Sequence, residues 1–99
     1  MQLARVIGSV VATRKEAELE GLRFLLLEGA TPDGKGRDAF VVAVDAVGAG
    51  AGDLVMYASG SSARQTSKTR DLPVDATVMA IIDQVEDRGE LAYNKTEDS

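Results

Sequence analysis

The apolar residues of this chain fall into short runs separated by glycine, proline and charged residues, a pattern typical of an all-β domain. Residues 3–13 are mostly small or β-branched around Gly8, which predicts a first strand bent at that glycine. Three further apolar runs predict strands two, three and four: residues 22–28, 39–44 and 54–59. Proline and glycine in residues 31–36 predict the turn of a hairpin between the second and third strands.

Several of these runs are apolar on both faces of the predicted strand, notably residues 25–27, 40–42 and 54–56. A single antiparallel sheet buries one face and leaves the other polar, so something must cover the outside of these strands. The sequence contains no obvious long amphipathic helix for that purpose. We therefore expect neighbouring copies of the chain to cover several outer faces, as in an obligate oligomer.

The segment between strands three and four, residues 45–53, contains Gly48, Gly50 and Gly52 at every second position. Glycine permits backbone angles and close approaches that a Cβ would obstruct, which predicts a tight, shaped connection and not a flexible linker. The segment does not fit a phosphate-binding loop. It lacks the G-x-G-x-x-G spacing, has no closing Lys-Ser/Thr pair and leads into a strand instead of a helix.

Two polar segments connect predicted strands. Residues 14–21 are densely charged and predict a solvated loop with a helical turn that ends at Gly21. Residues 61–66 predict a short helix with Ser61 or Ser62 as its N-cap.

The last quarter of the chain is more ambiguous. Residues 74–85 have apolar side chains at helical spacing behind Asp75, which could cap a helix, yet several of them are β-branched, which favours a strand. The segments that follow predict a polar turn, a short edge strand and a disordered polar tail: residues 86–90, 91–93 and 94–99.

Composition excludes several classes of function. The 99 residues suffice for one domain with a modest core. Because the chain has no His and no Cys, it lacks the usual ligands for zinc, haem or iron–sulfur clusters, a thiol nucleophile and the commonest general base. We therefore expect no catalysis, no cofactor and no bound metal.

Charge and hydropathy bear on partners and location. The net charge of −5 and the 4% aromatic content argue against a nucleic-acid partner, because binding phosphates requires clustered Lys and Arg. No apolar run approaches the roughly 20 residues of a membrane span. The sequence therefore predicts a cytoplasmic protein without a membrane partner.

A few polar residues deserve a chemical interpretation. Asp45, Asp75 and Asp83 lie beside apolar strands, where paired carboxylates could act as acid and base or hold a hard cation. Asp45 and Asp75, however, stand at strand-to-loop junctions, where a carboxylate commonly accepts backbone N–H bonds and fixes the turn. Ser61 and Ser62 could be nucleophiles, but they have neither the G-x-S-x-G context nor a histidine base.

Four segments of the sequence together resemble the EutN/CcmL family of bacterial microcompartment vertex proteins. They are residues 45–50 (Asp-Ala-Val-Gly-Ala-Gly) with an acidic residue three positions on, residues 60–64 (Gly-Ser-Ser-Ala-Arg), residues 73–76 (Pro-Val-Asp-Ala) and the opening at residues 5–15. The matches span most of residues 2–85 in the expected order. The resemblance implies a small β-barrel related to the OB fold, assembled as rings of five that close the vertices of an icosahedral shell. It also places the last barrel strand at residues 74–85.

The resemblance also implies roles for individual residues. The segment that lies near the five-fold axis in the family corresponds here to Gly60, Ser61, Ser62 and Ala63. Arg64 is expected at the subunit interface, because a guanidinium offers several planar donors to carboxylates or carbonyls; the alternative is a solvated surface arginine. The other residues expected at that interface are Asp45, Gly48, Gly50 and Asp75. The acidic partner of Arg64 is expected to be a residue such as Asp45, Asp53 or Asp75. The charged loop lies at the rim of the ring in the family, which makes Lys15 and Glu16 candidate contacts with adjoining shell proteins.

The sequence thus predicts an all-β fold: a small five-stranded OB-like β-barrel with a short helix and a C-terminal edge strand, in one domain of residues 1–93. The predicted function is structural: a homopentamer in the bacterial cytoplasm that caps the vertices of a microcompartment shell beside hexameric and pseudohexameric shell proteins. One alternative is a stand-alone OB-like module that binds a ligand or nucleic acid, which would favour a basic stripe with aromatics. Another is a small hydrolase, which would need a convergent nucleophile and base.

Overall fold

A computed structural model describes residues 1–97 and shows an all-β fold, as the sequence predicts. The strands are β1 (Gln2–Val10), β2 (Phe24–Ala30), β3 (Gly36–Asp45), β4 (Leu54–Ser59), β5 (Ala76–Ile81), β6 (Gln84–Asp87) and β7 (Glu90–Asn94). Short 3-10 turns lie at Ala17–Leu19, Gly60–Arg64 and Lys95–Glu97. Strands β1 to β5 form a closed barrel in the order β1-β2-β3-β5-β4, while β6 and β7 form a separate hairpin.

The barrel closes because β1 pairs with both β2 and β4, and β5 joins β3 in a parallel pair at Val44 and Thr77. The register of β1 against β2 shifts between Val6 and Gly8. An inserted residue of this kind bends a strand and increases its twist, which a small barrel requires. The predicted bend at Gly8 is therefore confirmed.

The barrel interior is filled by alternate residues of each strand. Leu25 and Leu27 of β2 are fully buried there, together with smaller side chains. The small members leave room for the larger ones in a narrow barrel. They are Ala4 and Val6 of β1, Ala43 of β3, Val55 of β4, and Ala76 and Val78 of β5.

At Leu54, the apolar outer face of β4 is covered by the chain itself and needs no neighbouring copy. Leu54 points away from the barrel interior and is nonetheless fully buried, because the β6–β7 hairpin folds over it and packs Tyr93 and Val85 against it. On β3, by contrast, Phe40 is 58% exposed and Val42 is 46% exposed. The apolar outer faces are thus covered within the chain on one side of the barrel and bare on the other.

The segment at residues 74–85 is a strand, and the helical alternative is wrong. The strand β5 ends at Ile81, however, and β6 begins only at Gln84, so the predicted single strand is two. The tight turn of the hairpin is Arg88–Gly89, where both residues have positive φ values of 54° and 83°. It is narrower than the predicted turn over residues 86–90.

The chain end differs from the prediction as well. The predicted edge strand is present as β7, paired with β6, and it includes Asn94. Lys95–Glu97 form a 3-10 turn where the sequence predicts a disordered tail. The remainder of that predicted tail, residues 98 and 99, lies outside the described residues.

Both predicted short helices are 3-10 turns. Gly60–Arg64 begins after Ser59, and no side chain caps it, so the predicted cap by Ser61 or Ser62 is wrong. The turn Ala17–Leu19 lies inside the charged loop and stops before Gly21, whose φ of 81° ends it as predicted.

Candidate assembly surfaces

The loop between β3 and β4 is organised by the carboxylate of Asp45. Its Oδ1 accepts the backbone N–H groups of Val47, Gly48 and Ala49 at 3.0, 2.9 and 3.2 Å. The Asp45 side chain is only 3% exposed. The expectation that this carboxylate fixes the turn is confirmed.

Arg23, which the sequence analysis did not single out, completes this site. Its Nη1 donates to Asp45 Oδ2 at 2.6 Å and to the carbonyl of Ala49 at 2.7 Å. Burial alone would raise the pKa of Asp45, but the three backbone donors and the guanidinium outweigh it and hold that pKa below its ordinary value of 3.8. Asp45 is therefore an ionised residue whose partners lie within its own chain.

Glycine is needed in this loop for backbone angles and not for space. Gly48 and Gly52 have φ values of 81° and 90°. Nothing lies within 4 Å of a Cβ placed at either, so the predicted close approach is absent there. Gly50 donates its N–H to Asp53 Oδ2 at 2.8 Å, and Gly52 donates to the carbonyl of Val6 at 2.8 Å. The loop is thus tied back onto β1, which confirms a shaped connection.

The turn at Gly60–Arg64 presents its first residues outward. Ser61 and Ser62 are exposed, and Gly60 has a φ of 64° and donates its N–H to the carbonyl of Asp75 at 2.8 Å. Ala63 is different, because its side chain is fully buried.

The carbonyl of Ala63 accepts the hydroxyls of Thr69 and Thr77 at 2.7 and 2.8 Å. These two buried bonds anchor the turn to β5 and to the following loop. The exposed part of the expected axis segment is therefore Gly60, Ser61 and Ser62.

Arg64 is half-buried and donates from Nη1 to the carbonyl of Val74 at 2.9 Å. This bond holds the 3-10 turn against the segment that leads into β5, and it uses one of the five N–H donors of the guanidinium. Asp75 is exposed, and it is its backbone carbonyl that holds the turn, through Gly60. The expectation that its carboxylate does so is wrong.

The charged loop places Lys15 and Glu16 at its start. Lys15 Nζ donates to the carbonyl of Ala12 at 3.0 Å and lies 3.7 Å from Glu20 Oε1. Glu16 is exposed, and its carbonyl accepts the N–H of Leu19 at 2.9 Å. Glu16 is thus exposed, whereas Lys15 is mostly engaged within the loop.

The described part of the chain, residues 1–97, brings together no group of three His, Cys, Asp or Glu side chains that could hold a metal ion. It also contains no helix long and apolar enough to cross a bilayer.

Comparison with known proteins accounts for nearly the whole chain. A family model described as "Ethanolamine utilisation protein EutN/carboxysome" matches residues 1–83. The carboxysome shell vertex protein CcmL of Thermosynechococcus vestitus is 43% identical over 95 residues, which is 96% of each chain. The structure of Gloeobacter violaceus CcmL superposes with a TM-score of 0.93 at 40% identity, covering 98% of this chain and 100% of that one.

A second similar structure is that of a pentameric protein. GrpN, a pentameric microcompartment shell protein from Rhodospirillum rubrum, superposes with a TM-score of 0.81 at 40% identity and covers 88% of this chain and 99% of its own. Fold, sequence and length therefore agree over the entire barrel, and the chain belongs to the EutN/CcmL family of microcompartment shell proteins.

Proposed function

We propose that this chain is a structural protein that assembles as a homopentamer and caps the vertices of a bacterial microcompartment shell, without catalysis. One observation carries the proposal: the chain matches a shell vertex protein at 43% identity over 96% of both lengths. The 40% identity to a pentameric shell protein supports the number five.

The mechanism is geometric. A flat layer of hexagonal units closes into a polyhedron only if units of five-fold symmetry stand at its corners, and a heterologous interface repeated by rotation forms such a closed ring. Hexameric and pseudohexameric shell proteins are then the partners around each vertex, inside the bacterial cytoplasm. A chain of net charge −5 suits a building block better than a nucleic-acid-binding module.

The exposed turn residues Gly60, Ser61 and Ser62 border the five-fold axis in this proposal. Ala63 supports them from inside the fold. Uncharged, small residues can crowd around an axis, because five copies meet there without repulsion between charges or clashes between long side chains.

Arg64 and Asp75 are the proposed polar contacts between subunits. They stand on the two segments that the bond between Gly60 and Asp75 holds together, and Arg64 keeps donors beyond the one given to Val74. Gly48 and Gly50 lie on the loop beside this interface, and Asp45 contributes by shaping that loop from within. Lys15 and Glu16 are the proposed contacts with the neighbouring shell proteins.

Native mass spectrometry of the purified protein tests the proposal first. We expect an assembly of five times the chain mass of 10.4 kDa, with a melting temperature that rises with protein concentration, because assembly stabilises the folded chain by mass action. Electron microscopy of shells made with the matching hexagonal proteins should then show this chain at vertices only. A stable monomer at micromolar concentration, or a distribution across facets, would contradict the proposed function.

A further inference from the structure

One face of the barrel remains uncovered by the chain itself. We define the outer wall as Gly8 of β1, Phe24 and Leu26 of β2, and Phe40 and Val42 of β3. Leu26 faces outward because its neighbours Leu25 and Leu27 face the core, and it pairs with Gly8 on one side and Val42 on the other. Residues paired directly across strands share a face, so these three side-chain positions form one row across the wall.

The wall is apolar in a chain that is otherwise strongly charged. None of its five residues carries a charge, although 27% of the chain is charged. Glu28 borders the wall opposite Phe40, but its carboxylate turns aside to accept the N–H of Asp38 at 2.8 Å. At Gly8 nothing lies within 4 Å of a Cβ position, so the β1 edge of the wall is open to an incoming side chain. Exposed apolar faces of this kind mark contact surfaces.

We infer that the outer wall is the face on which one subunit receives the next copy of the same chain in the ring. This inference rests on the proposed function and deepens it, because it assigns the subunit contact to a surface that lies apart from Arg64. The reason for choosing a second copy is positional. In a closed ring, every contact between subunits runs outward from the axis, so the surface that continues from the axis segment is the one that meets a neighbour.

The wall does continue from the axis segment. A groove of about 220 Å³ joins it to the segment before β5, and the groove is lined by Phe24, Val42 and Val44 from the wall side and by Pro73, Val74 and Asp75 from the other. The carbonyl of Asp75 in turn binds the N–H of Gly60 in the axis turn. A second groove, which includes Val10 and Lys15, begins on the other side of Phe24 and reaches the proposed rim loop. The wall therefore lies between axis and rim.

Charge also favours a second copy as the occupant. Each chain carries −5, so two copies repel each other wherever their charged surfaces meet. An uncharged face keeps that repulsion small, and permanent contacts between identical subunits are more apolar than transient contacts. The arrangement is heterologous, because five-fold rotation places the wall against a different surface of the neighbour.

A pair of lysine substitutions tests the inference. Phe40 is 58% exposed and lies across from Glu28, while Leu91 on β7 is 51% exposed and lies across from Glu86. Phe40→Lys and Leu91→Lys therefore add the same charge, at similar exposure, beside a glutamate that favours each lysine in the monomer. In native mass spectrometry we expect Phe40→Lys to lose the pentamer at concentrations where the parent and Leu91→Lys keep it.

Thiol labelling gives a second measurement that needs no charge in the wall. The sequence has no cysteine, so Val42→Cys and Leu91→Cys each carry a single thiol. We expect a maleimide to react with the wall thiol about tenfold or more slowly than with the control thiol in the ring, since even a modest free energy of burial corresponds to that factor. The two rates should become similar when the ring is dissociated by dilution.

The outcomes separate this inference from the proposed function. If the parent is not a pentamer, the proposed function fails before any variant is compared. If the parent is a pentamer but Phe40→Lys stays assembled and the Val42→Cys thiol reacts freely, the inference is wrong and the function stands. If Phe40→Lys stays pentameric but no longer joins shells, the wall receives a hexagonal shell protein, and the inference is again wrong.

Discussion

At the scale of single residues, the chain uses charge mainly to shape backbone. Asp45 is the clearest case, because one buried carboxylate holds three successive N–H groups and an arginine. The sequence could predict its turn-forming role, since an aspartate at a strand end before a glycine is a common turn signal. It could not predict the contact with Arg23. An exposed arginine just before a strand has no local sequence pattern that indicates a partner 22 residues away.

The first prediction concerns the charge on Asp45. Because its folded pKa is lowered, the ionised form contributes stability that is present above the unfolded value near 3.8 and is lost as pH falls through the folded pKa. Asp45→Asn keeps an acceptor oxygen but removes the charge. We expect it to lower the free energy of unfolding by about 1–2 kcal/mol at neutral pH, the difference between charged and neutral hydrogen bonds.

Urea titrations at several pH values measure this effect. The difference between parent and Asp45→Asn should shrink towards acid pH, where the parent carboxylate is protonated as well. The partly exposed Arg23 adds little, because solvent screens its charge. Asp83→Asn, at an exposed position, is the matched control. An unchanged free energy of unfolding in Asp45→Asn would contradict the role assigned to this carboxylate.

At the scale of elements, the C-terminal hairpin is the part of the fold that sequence reasoning resolved least. It lies beyond residues 1–83, which the family model matches, yet it covers Leu54 on the outside of β4. The lack of polar–apolar alternation in β4 correctly predicted that both faces of this strand are covered. It could not tell that the cover came from residues 84–94, because cover by the same chain and cover by another chain leave the same pattern in the strand.

Arg5 connects this hairpin to the barrel. Its guanidinium donates to the carbonyls of Gly34 and Gly52 at 2.7 and 3.0 Å and lies 5.4 Å from the ring centroid of Tyr93. Gly34 is required for this contact, because a Cβ there would lie 2.5 Å from Nη2 of Arg5 and the residue has a φ of 84°. One side chain thus joins two loops and the hairpin.

The second prediction is that Arg5→Lys loosens the hairpin. A lysine ammonium lacks the planar fork that reaches both carbonyls, so we expect a loss of about 1–2 kcal/mol in the free energy of unfolding. Hydrogen exchange should show faster exchange of amides in β6 and β7 than in β2, where the barrel core is untouched. Arg37→Lys, on the exposed start of β3, is the control. Equal protection of the hairpin in all three proteins would show that Arg5 does not hold it.

At the scale of the whole molecule, the barrel is a block with one covered side, one bare apolar wall and one small exposed turn. The ring proposed here follows from placing that turn at the axis and that wall between subunits. A ring of five chains of −5 each has a formal charge of 5 × −5 = −25, so a net electrostatic repulsion between the chains opposes its assembly. The repulsion is greatest where the copies come closest together, which makes the axis the place most sensitive to added charge.

The last prediction tests that placement. Ser61 and Ser62 are exposed in the chain, so Ser61→Glu and Ser62→Glu should leave the far-UV circular dichroism of the subunit unchanged. At the axis, either change would bring five carboxylates close together, and the ring should dissociate at low salt. High salt should restore it, because the screening length falls from about 10 Å at 0.1 M to about 3 Å at 1 M. Ser67→Glu, on the exposed loop after the turn, adds the same charge away from the axis and should stay assembled at both salt concentrations. If the rings of all three variants are equally stable at low salt, Gly60–Arg64 lies away from the axis. The proposed continuity between the axis and the outer wall is then wrong as well.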